Sequence, residues 1–345
     1  MEPPHSLGPT PLISIITPTY NHERYIGSCI NSVLDQTYEN WEQIIIDDGS
    51  TDRTAEAIRN YSDPRVQYVF QKNAGIEALA HTYNRALENC RGPVIAILEG
   101  DDTWPPDKLA NMVDAFSDPA VVLAYGEMRE LTPNGTIAPS AGRVAESRRK
   151  LSKAILNNDP VRSAVPYMLT LHGHSLIPAS TVMIRRSALG SIGGFQYIPG
   201  QCYTDFPTFI RLALQGKFQY FSGVMGYRRM HHVSATAQLP EVMTDRSRRH
   251  LSDLLEEPNF SLTAKEREGI ERSWRPATAG VRFKQGRLLL LQHKWREARS
   301  HFRGAIQTAD MRVTIGSLAG WCLSWFHYDL EDLFRKSGRP TWRAD

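Results

Sequence analysis

Cysteine is scarce in this 345-residue chain. Cys29, Cys90, Cys202 and Cys322 stand far apart, with no C-x-x-C pair and no histidine at zinc-site spacing. That argues against a disulfide framework or a structural metal and points to reduced thiols in a cytoplasmic protein. Long apolar runs are missing too. The longest uncharged, largely apolar stretch, Val313 to Phe326, falls short of the ~20 residues of a spanning helix, so a soluble chain is expected. Residues Met1 to Pro11 hold no apolar segment of the signal-peptide kind. Charge of one sign is also lacking, because a formal net charge of +3 is too mild for a nucleic-acid binder. It is unevenly spread, with +5 over residues 241–345 and −2 over residues 1–240. Three further absences remove whole enzyme classes. No G-x-G-x-x-G follows the first strand, no G-x-x-x-x-G-K-[ST] occurs, and there is no G-x-S-x-G, which rules against Rossmann dehydrogenases, P-loop NTPases and α/β-hydrolases.

What is present reads as alternating strands and helices. Strands are expected at Leu12–Ile16, Gln43–Ile46, Val66–Phe70, Val94–Leu98, Val121–Tyr125 and Ser180–Ile184, with short ones at Phe218–Phe221 and Gly226–Arg229. Helices are expected at Ile26–Leu34, from an Asp52 cap through Asn60, over residues 76–89, from Pro105-Pro106 to Phe116, and at Phe206–Gln215. Unbroken β-branched runs separated by helices predict an α/β fold with a mostly parallel sheet over residues 1–240. Residues 130–178, with the basic cluster Arg148, Arg149, Lys150 and Lys153, read as a long insertion beside a site. Beyond residue 240 the pattern is all helical (244–256, 264–273, 277–292, 295–308 and 313–335), predicting a small helical domain over 241–345. Gly286, Ala298 and Phe302 fit one helix-turn-helix unit of the tetratricopeptide kind. Trp321, Trp325 and Phe326, at helical spacing, are expected in its core, with docking to a membrane surface or a hydrophobic partner as the alternative.

In an open parallel sheet, ligands bind beyond the carboxyl ends of the strands. Three of those ends are unusual here: Thr17-Pro18-Thr19-Tyr20-Asn21, Asp47-Asp48-Gly49-Ser50-Thr51-Asp52 and Glu99-Gly100-Asp101-Asp102. So many carboxylates on one rim repel unless a cation or donor groups compensate. Glu99 and Asp101, two apart at a strand end, are expected on one face of the pleat, and Gly100 lets another group approach closely. Two such oxygen ligands are a way to hold Mg²⁺ or Mn²⁺ with a diphosphate. His172-Gly173-His174 reads as a polar loop rather than a metal pair.

These residues resemble a known family. Ile15-Ile16-Thr17-Pro18-Thr19-Tyr20-Asn21, the Asp-Asp-Gly-Ser-x-Asp at 47–52, Asn73-x-Gly75, Glu99-x-Asp101-Asp102, Gly193-Gly194-Phe195 and Thr204-Asp205 look like the inverting glycosyltransferases of the GT-A fold, family 2-like. The resemblance covers about residues 11–235 and leaves the helical C-terminus aside. It implies a nucleotide-sugar donor, with UDP the family-weighted choice, contacted by Pro18, Thr19, Tyr20, Asn21, Asp47, Asp48, Asn73, Gly75, Gly100 and Asp101. It also implies Mn²⁺ or Mg²⁺ on Asp101, assisted by Glu99 and by His231 or His232, and Asp205 as general base. The acceptor is left open among glycan, lipid-linked, natural-product and peptide molecules, with no nucleic acid as partner. This chain departs from the pattern at Glu99, where the family's first acid is Asp, at Thr204, where an acid usually precedes the base, and at Thr82-Tyr83-Asn84, where Ala-Arg-Asn is usual. The alternatives are a sugar-nucleotidyltransferase and a sugar-nucleotide-binding scaffold.

Overall fold

The computed structural model describes residues 8–138, 150–171, 176–198, 204–231, 252–257, 260, 262–306 and 311–328. Arg148, Arg149, His172, His174, Cys202, His232 and most of segment 244–256 lie outside the described residues. The chain divides into two compact units, Met1–Leu239 and Pro240–Asp345.

The first unit is built on seven strands: β1 (Ile13–Thr19), β2 (Trp41–Asp47), β3 (Val66–Phe70), β4 (Val94–Ile97), β5 (Val121–Leu131), β6 (Met183–Arg185) and β7 (Lys217–Arg229). They form one sheet in the order β3-β2-β1-β4-β6-β5-β7. The pairs β1–β2, β1–β4, β2–β3 and β5–β7 are parallel; β6 runs antiparallel to both β4 and β5. β1 and β2 are buried along their whole length, as strands covered on both faces must be. Ile13 and Ile15 pack with Ile26, Ile30 and Val33 of helix Ile26–Leu34 and with Leu109 and Met112 of helix Lys108–Val113. Each such side chain contributes about 1.5–3 kcal/mol on leaving water.

This topology makes a crevice. β2 and β3 extend from one side of β1, while β4 lies on the other and pairs with it only over Ile13–Ile16. Beyond that point β1 continues to Thr19, and the turn after β4 takes the space beside it. The carboxyl ends of β1, β2 and β4 therefore open at the point where strand order reverses.

Several strands differ from expectation: β1 runs on to Thr19 and β5 to Leu131, past their expected ends at Ile16 and Tyr125. Ala179–Thr181 is a single 3₁₀ turn behind Pro178, so β6 starts only at Met183. The two short strands at the end are one, β7, whose register against β5 shifts at Gly126/Glu127 and Glu127/Met128. Those irregularities absorb Ser222 and Gly223, the residues that break the apolar pattern.

In the second unit, helix Ala264–Leu291 opens on a capping box: Thr263 Oγ1 accepts from Glu266 N at 3.2 Å, and Glu266 Oε2 accepts from Thr263 N at 2.7 Å. It runs on through Pro276, joining two segments that the sequence pattern had separated. Helices Trp295–Ala305 and Met311–Trp325 follow it, and residues 252–256 ahead of it are also helical. Phe302 is fully buried, and a Cβ at Gly286 or Gly320 would stand 2.8 or 2.4 Å from its ring. Trp321 packs against this core, but Trp325 is 57% and Phe326 74% exposed, which corrects the expectation of burial. Helix Met311–Trp325 buries the small residues Ser317, Gly320 and Ser324, and its glycines let it approach closely, Gly320 against Phe302 and Gly316 against Phe283. Among the described residues no helix is long and apolar enough to cross a membrane.

Candidate active site

The loops after β1 and β2 are tied together by their own polar groups. Asn21 adopts a left-handed backbone (φ 55°), a conformation asparagine tolerates. Its N–H donates to Ser50 Oγ at 2.9 Å, and its Oδ1 accepts from Thr51 N at 2.8 Å. Asn21 thus links the two loops. Asp47 is fully buried, and both oxygens are engaged, Oδ1 by Ser50 N and Oδ2 by the Tyr68 hydroxyl, each at 2.9 Å. It supports the rim from below. Burial and the Asp47 carboxylate push the Tyr68 hydroxyl up to about 12.

Asp48 sits on the rim itself. Its N–H donates to Thr19 O, Gln71 Nε2 donates to its Oδ1 at 2.6 Å, and Asn73 Nδ2 donates to its carbonyl at 2.9 Å. Gly49 has φ +72°, and a Cβ there would meet Asn73 N at 2.6 Å. Gly75 is also left-handed, with φ +84°, and its N–H is held by Asn73 Oδ1 at 2.8 Å. Thr19, Asp48, Asn73 and Gly75 are thereby brought together. Tyr20 is exposed beside them. Asp52, expected as a helix cap, stands one residue ahead of the N-cap Arg53 and accepts from N and Oγ1 of Thr54, the first helical residue.

The acidic turn behaves differently from a continued strand. β4 ends at Ile97, and Asp102 N donates back to Glu99 O, so the pleat no longer governs Glu99 and Asp101. Their side chains go to different partners. Glu99 accepts a short hydrogen bond from the buried Tyr83 hydroxyl. Loss of hydration raises Glu99 to about 8; the Tyr83 bond opposes this, and the charges of Asp101 and Asp205 add to it. Asp102, buried, accepts from Ser180 Oγ at 2.6 Å and from Arg229 N at 3.0 Å. Burial and then the Asp101 charge hold its carboxyl well above the usual range.

Asp101 faces two imidazoles instead of Glu99. His231 Nε2 stands 2.8 Å and His22 Nε2 3.9 Å from Asp101 Oδ2. Donor atoms of His22, Asp101 and His231 all lie within 4.8 Å of one another, the one such cluster of three among the described residues. Burial acts to raise Asp101, but the His231 hydrogen bond and the charges of His22 and His231 outweigh it and hold the carboxyl below its ordinary value. His22 is lowered by burial against the pull of Asp101, which favours the neutral, metal-binding imidazole. His231 is buried, and its Nδ1 has no hydrogen-bond partner. One carboxylate with two imidazoles fits a divalent cation. Glu99, expected to assist Asp101, is outside this cluster.

Gly100 explains how the turn can come so close. A Cβ there would stand 2.7 Å from Thr19 Oγ1 and 2.9 Å from His22 Nδ1. What approaches Gly100 is therefore the protein's own β1 loop.

Asp205 is the first residue of helix Asp205–Ala213. Its charge contributes to the upward shifts of both Glu99 and Tyr83, so it stands near that pair. The turn ahead of it is clamped: Asn84 Nδ2 donates to Phe195 O and Phe195 N donates to Asn84 Oδ1, both at 2.8 Å. Gly194, with φ +88°, leaves room for the Asn84 side chain, which a Cβ would meet at 2.4 Å. Arg85, one of the two cations near the position where the family has its arginine, donates to Gln71 Oε1 at 3.3 Å and Phe70 O at 3.4 Å. Trp104 is an anchor, its Nε1 donating to Ser180 O at 2.6 Å.

Sequence reasoning missed His22 and Tyr83. His22 lies just past the Thr17–Asn21 motif, and Tyr83 stands where the family's Ala-Arg-Asn has its arginine; the contacts with Asp101 and Glu99 are what mark them.

The profile of the family described as Glycosyl transferase family 2 matches residues 14–189. TuaG of Bacillus subtilis (strain 168), named provisionally as a teichuronic acid biosynthesis glycosyltransferase, is 36% identical over 128 residues, which cover 36% of this chain and 50% of TuaG. The chain thus spans about half the length of that relative. Among solved structures, S. aureus TarS 1-349 in complex with UDP-GlcNAc aligns with a TM-score of 0.58 at 17% identity, covering 96% of this chain and 93% of that one. The mannosyltransferase PcManGT from Pyrobaculum calidifontis, in complex with GDP-Man and Mn²⁺, aligns with a TM-score of 0.53 at 17% identity, covering 96% and 84%. At these identities the structural likeness establishes the fold, a GT-A-like one.

Proposed function

Because the chain belongs to glycosyl transferase family 2, we propose that it moves a sugar from a nucleotide-sugar, UDP-linked by preference, to an acceptor nucleophile with inversion at the anomeric carbon. The observation that carries this reading is the convergence of Thr19, Asp48 and Asp101 on one rim, at the strand-order reversal of the sheet. Thr19, Asp48, Asn73 and Gly75 are assigned to the nucleotide. The first unit, Met1–Leu239, is assigned the chemistry.

Asp205 is assigned the general base. Its carboxylate takes the acceptor's proton as the acceptor atom bonds to the anomeric carbon, on the face opposite the diphosphate. The bond from that carbon to the diphosphate oxygen breaks, and its electron pair leaves with the nucleoside diphosphate. One displacement inverts the centre. A carboxylate placed for this proton contributes ~10²–10⁴-fold. The start of a helix stabilises the charged form of Asp205 before the proton arrives. Asp101 and His231 would hold a divalent cation, Mn²⁺ or Mg²⁺, which when bound supplies charge neutralisation at the departing diphosphate.

A panel of nucleotide-sugars with Mn²⁺ tests the reading by release of free nucleoside diphosphate. Release from one donor class that stops in Asp101→Ala supports it. No release from any donor, with binding intact, points to a sugar-nucleotide-binding scaffold, and release of pyrophosphate from a sugar phosphate and a nucleoside triphosphate points to a nucleotidyltransferase.

A further inference from the structure

We propose that His22 is a third ligand of the cation held by Asp101 and His231, and that this two-imidazole, one-carboxylate set binds a first-row transition ion before any nucleotide arrives and in preference to Mg²⁺. The inference rests on the reading of Asp101 and His231 as a cation site and adds a residue that no motif contains.

The geometry supports it at three levels. First, the separations suit shared coordination. Ligand atoms about 2.0–2.2 Å from one ion stand roughly 3–4 Å apart. The three ligand atoms lie within 4.8 Å of one another: Asp101 Oδ2 is 3.9 Å from His22 Nε2 and, at hydrogen-bond distance, 2.8 Å from His231 Nε2, a pair that an entering ion would part by a few tenths of an ångström.

Second, His22 is held for the task. Its Nδ1 is 3.1 Å from Thr19 Oγ1, which leaves Nε2 toward Asp101. A hydrogen bond on the other ring nitrogen is how metal-binding imidazoles are oriented. Its backbone N–H donates to Thr54 Oγ1 at 2.8 Å, and Thr54 is fixed in turn by Asp52. The rings of His22 and His231 meet edge-on at 6.2 Å, and Tyr25 packs against His231 at 4.7 Å. The Arg229 guanidinium donates to Asp101 O, and Arg229 N donates to Asp102, so the chain carrying His231 is pinned to the acidic turn.

Third, the donor set selects the metal. Imidazole suits first-row transition ions, with Mn²⁺ the weakest binder of the series, whereas Mg²⁺ takes oxygen ligands, demands near-ideal octahedral geometry and keeps several waters. A site of carboxylates alone would need the diphosphate oxygens to complete a hold on Mg²⁺. Two imidazoles from the protein remove that need for Mn²⁺ or Co²⁺.

The experiment uses the whole chain without nucleotide and titrates Mn²⁺, following the loss of the free-ion electron paramagnetic resonance signal. Wild type is expected to bind one Mn²⁺ that about tenfold excess Mg²⁺ does not displace, and His22→Ala to weaken binding by about tenfold or more. Electron spin-echo modulation of the wild-type complex counts coordinated nitrogens without any substitution. Modulation from two imidazoles supports the proposal. Modulation from one, unchanged affinity in folded His22→Ala, displacement by about tenfold excess Mg²⁺ or less, or no binding without nucleotide overturns it. Each of those results is compatible with donor turnover in the presence of Mg²⁺, so the catalytic reading is judged separately by diphosphate release.

Discussion

Substituting Gly100 by alanine adds one methyl group at the most crowded point of the rim. The added Cβ would stand 2.7 Å from Thr19 Oγ1, 2.9 Å from Thr19 Cβ and 2.9 Å from His22 Nδ1. Thr19 is nearly fully buried at the end of β1, so its Cβ does not yield. Gly100 N donates to Pro18 O at 3.1 Å, so the turn is also tethered on its backbone side. Relief comes from rotating His22 away from Thr19 or from lifting the turn, and either moves Asp101 relative to His22 and His231. Overpacking of this kind costs about 1–3 kcal/mol. For a unit of this size that corresponds to a fall of about 2–12 °C in the melting temperature. A misplacement near 1 Å at a reacting centre costs up to about 10²-fold in rate, so a larger proportional loss is expected in donor turnover than in stability. Thermal unfolding by circular dichroism and diphosphate release measured on the same preparation check both. Unchanged melting together with wild-type turnover would refute the view that this glycine sets the distance between the β1 loop and the acidic turn.

Two further outcomes follow from the same structure. Asp205→Asn is expected to keep donor affinity within about twofold while turnover falls by ~10²–10⁴-fold, measured by calorimetry and diphosphate release; equal turnover removes Asp205 from its role. Glu42, buried, accepts from Ser14 Oγ at 2.6 Å and from Arg91 N and Nε at 2.7 Å. Burial works to raise its carboxyl, but the Ser14 and Arg91 bonds prevail and hold it below its ordinary value. A depressed folded-state value means stability that is present above the unfolded pKa of about 4.3 and lost as pH falls through the folded one. Glu42→Gln is therefore expected to cost about 1–3 kcal/mol at pH 7 and progressively less in acid. Denaturant titrations at neutral and acid pH read this directly, and a gap that does not narrow contradicts it.

Much of the fold was legible because burial on both faces leaves a one-dimensional trace. Runs such as Ile13–Ile16 and Ile44–Ile46 have no solvent-facing side, so their strands and the parallel sheet follow from composition alone. The rim was legible for a related reason: carboxylates and glycines bunched at strand ends have no use in a core. Strand Lys217–Arg229 and helix Ala264–Leu291 were read as broken, because Gly223 and Pro276 look like local stops. There, neighbouring β5 and the surrounding helices outweigh local preference.

Chain order alone was enough to determine which residues stand at the ends of β1, β2 and β4, and hence that acidic groups gather where the sheet opens. Only tertiary structure decided which of them share a space. Asp47 went underneath, with both oxygens used by Ser50 and Tyr68. Glu99 went to Tyr83, and Asp101 went to His22 and His231, residues 79 and 130 positions away in the chain. The direction of a side chain in a turn is set by what packs around it from distant segments. A pattern of neighbours along the chain carries the strand's period but not the partners that close the site.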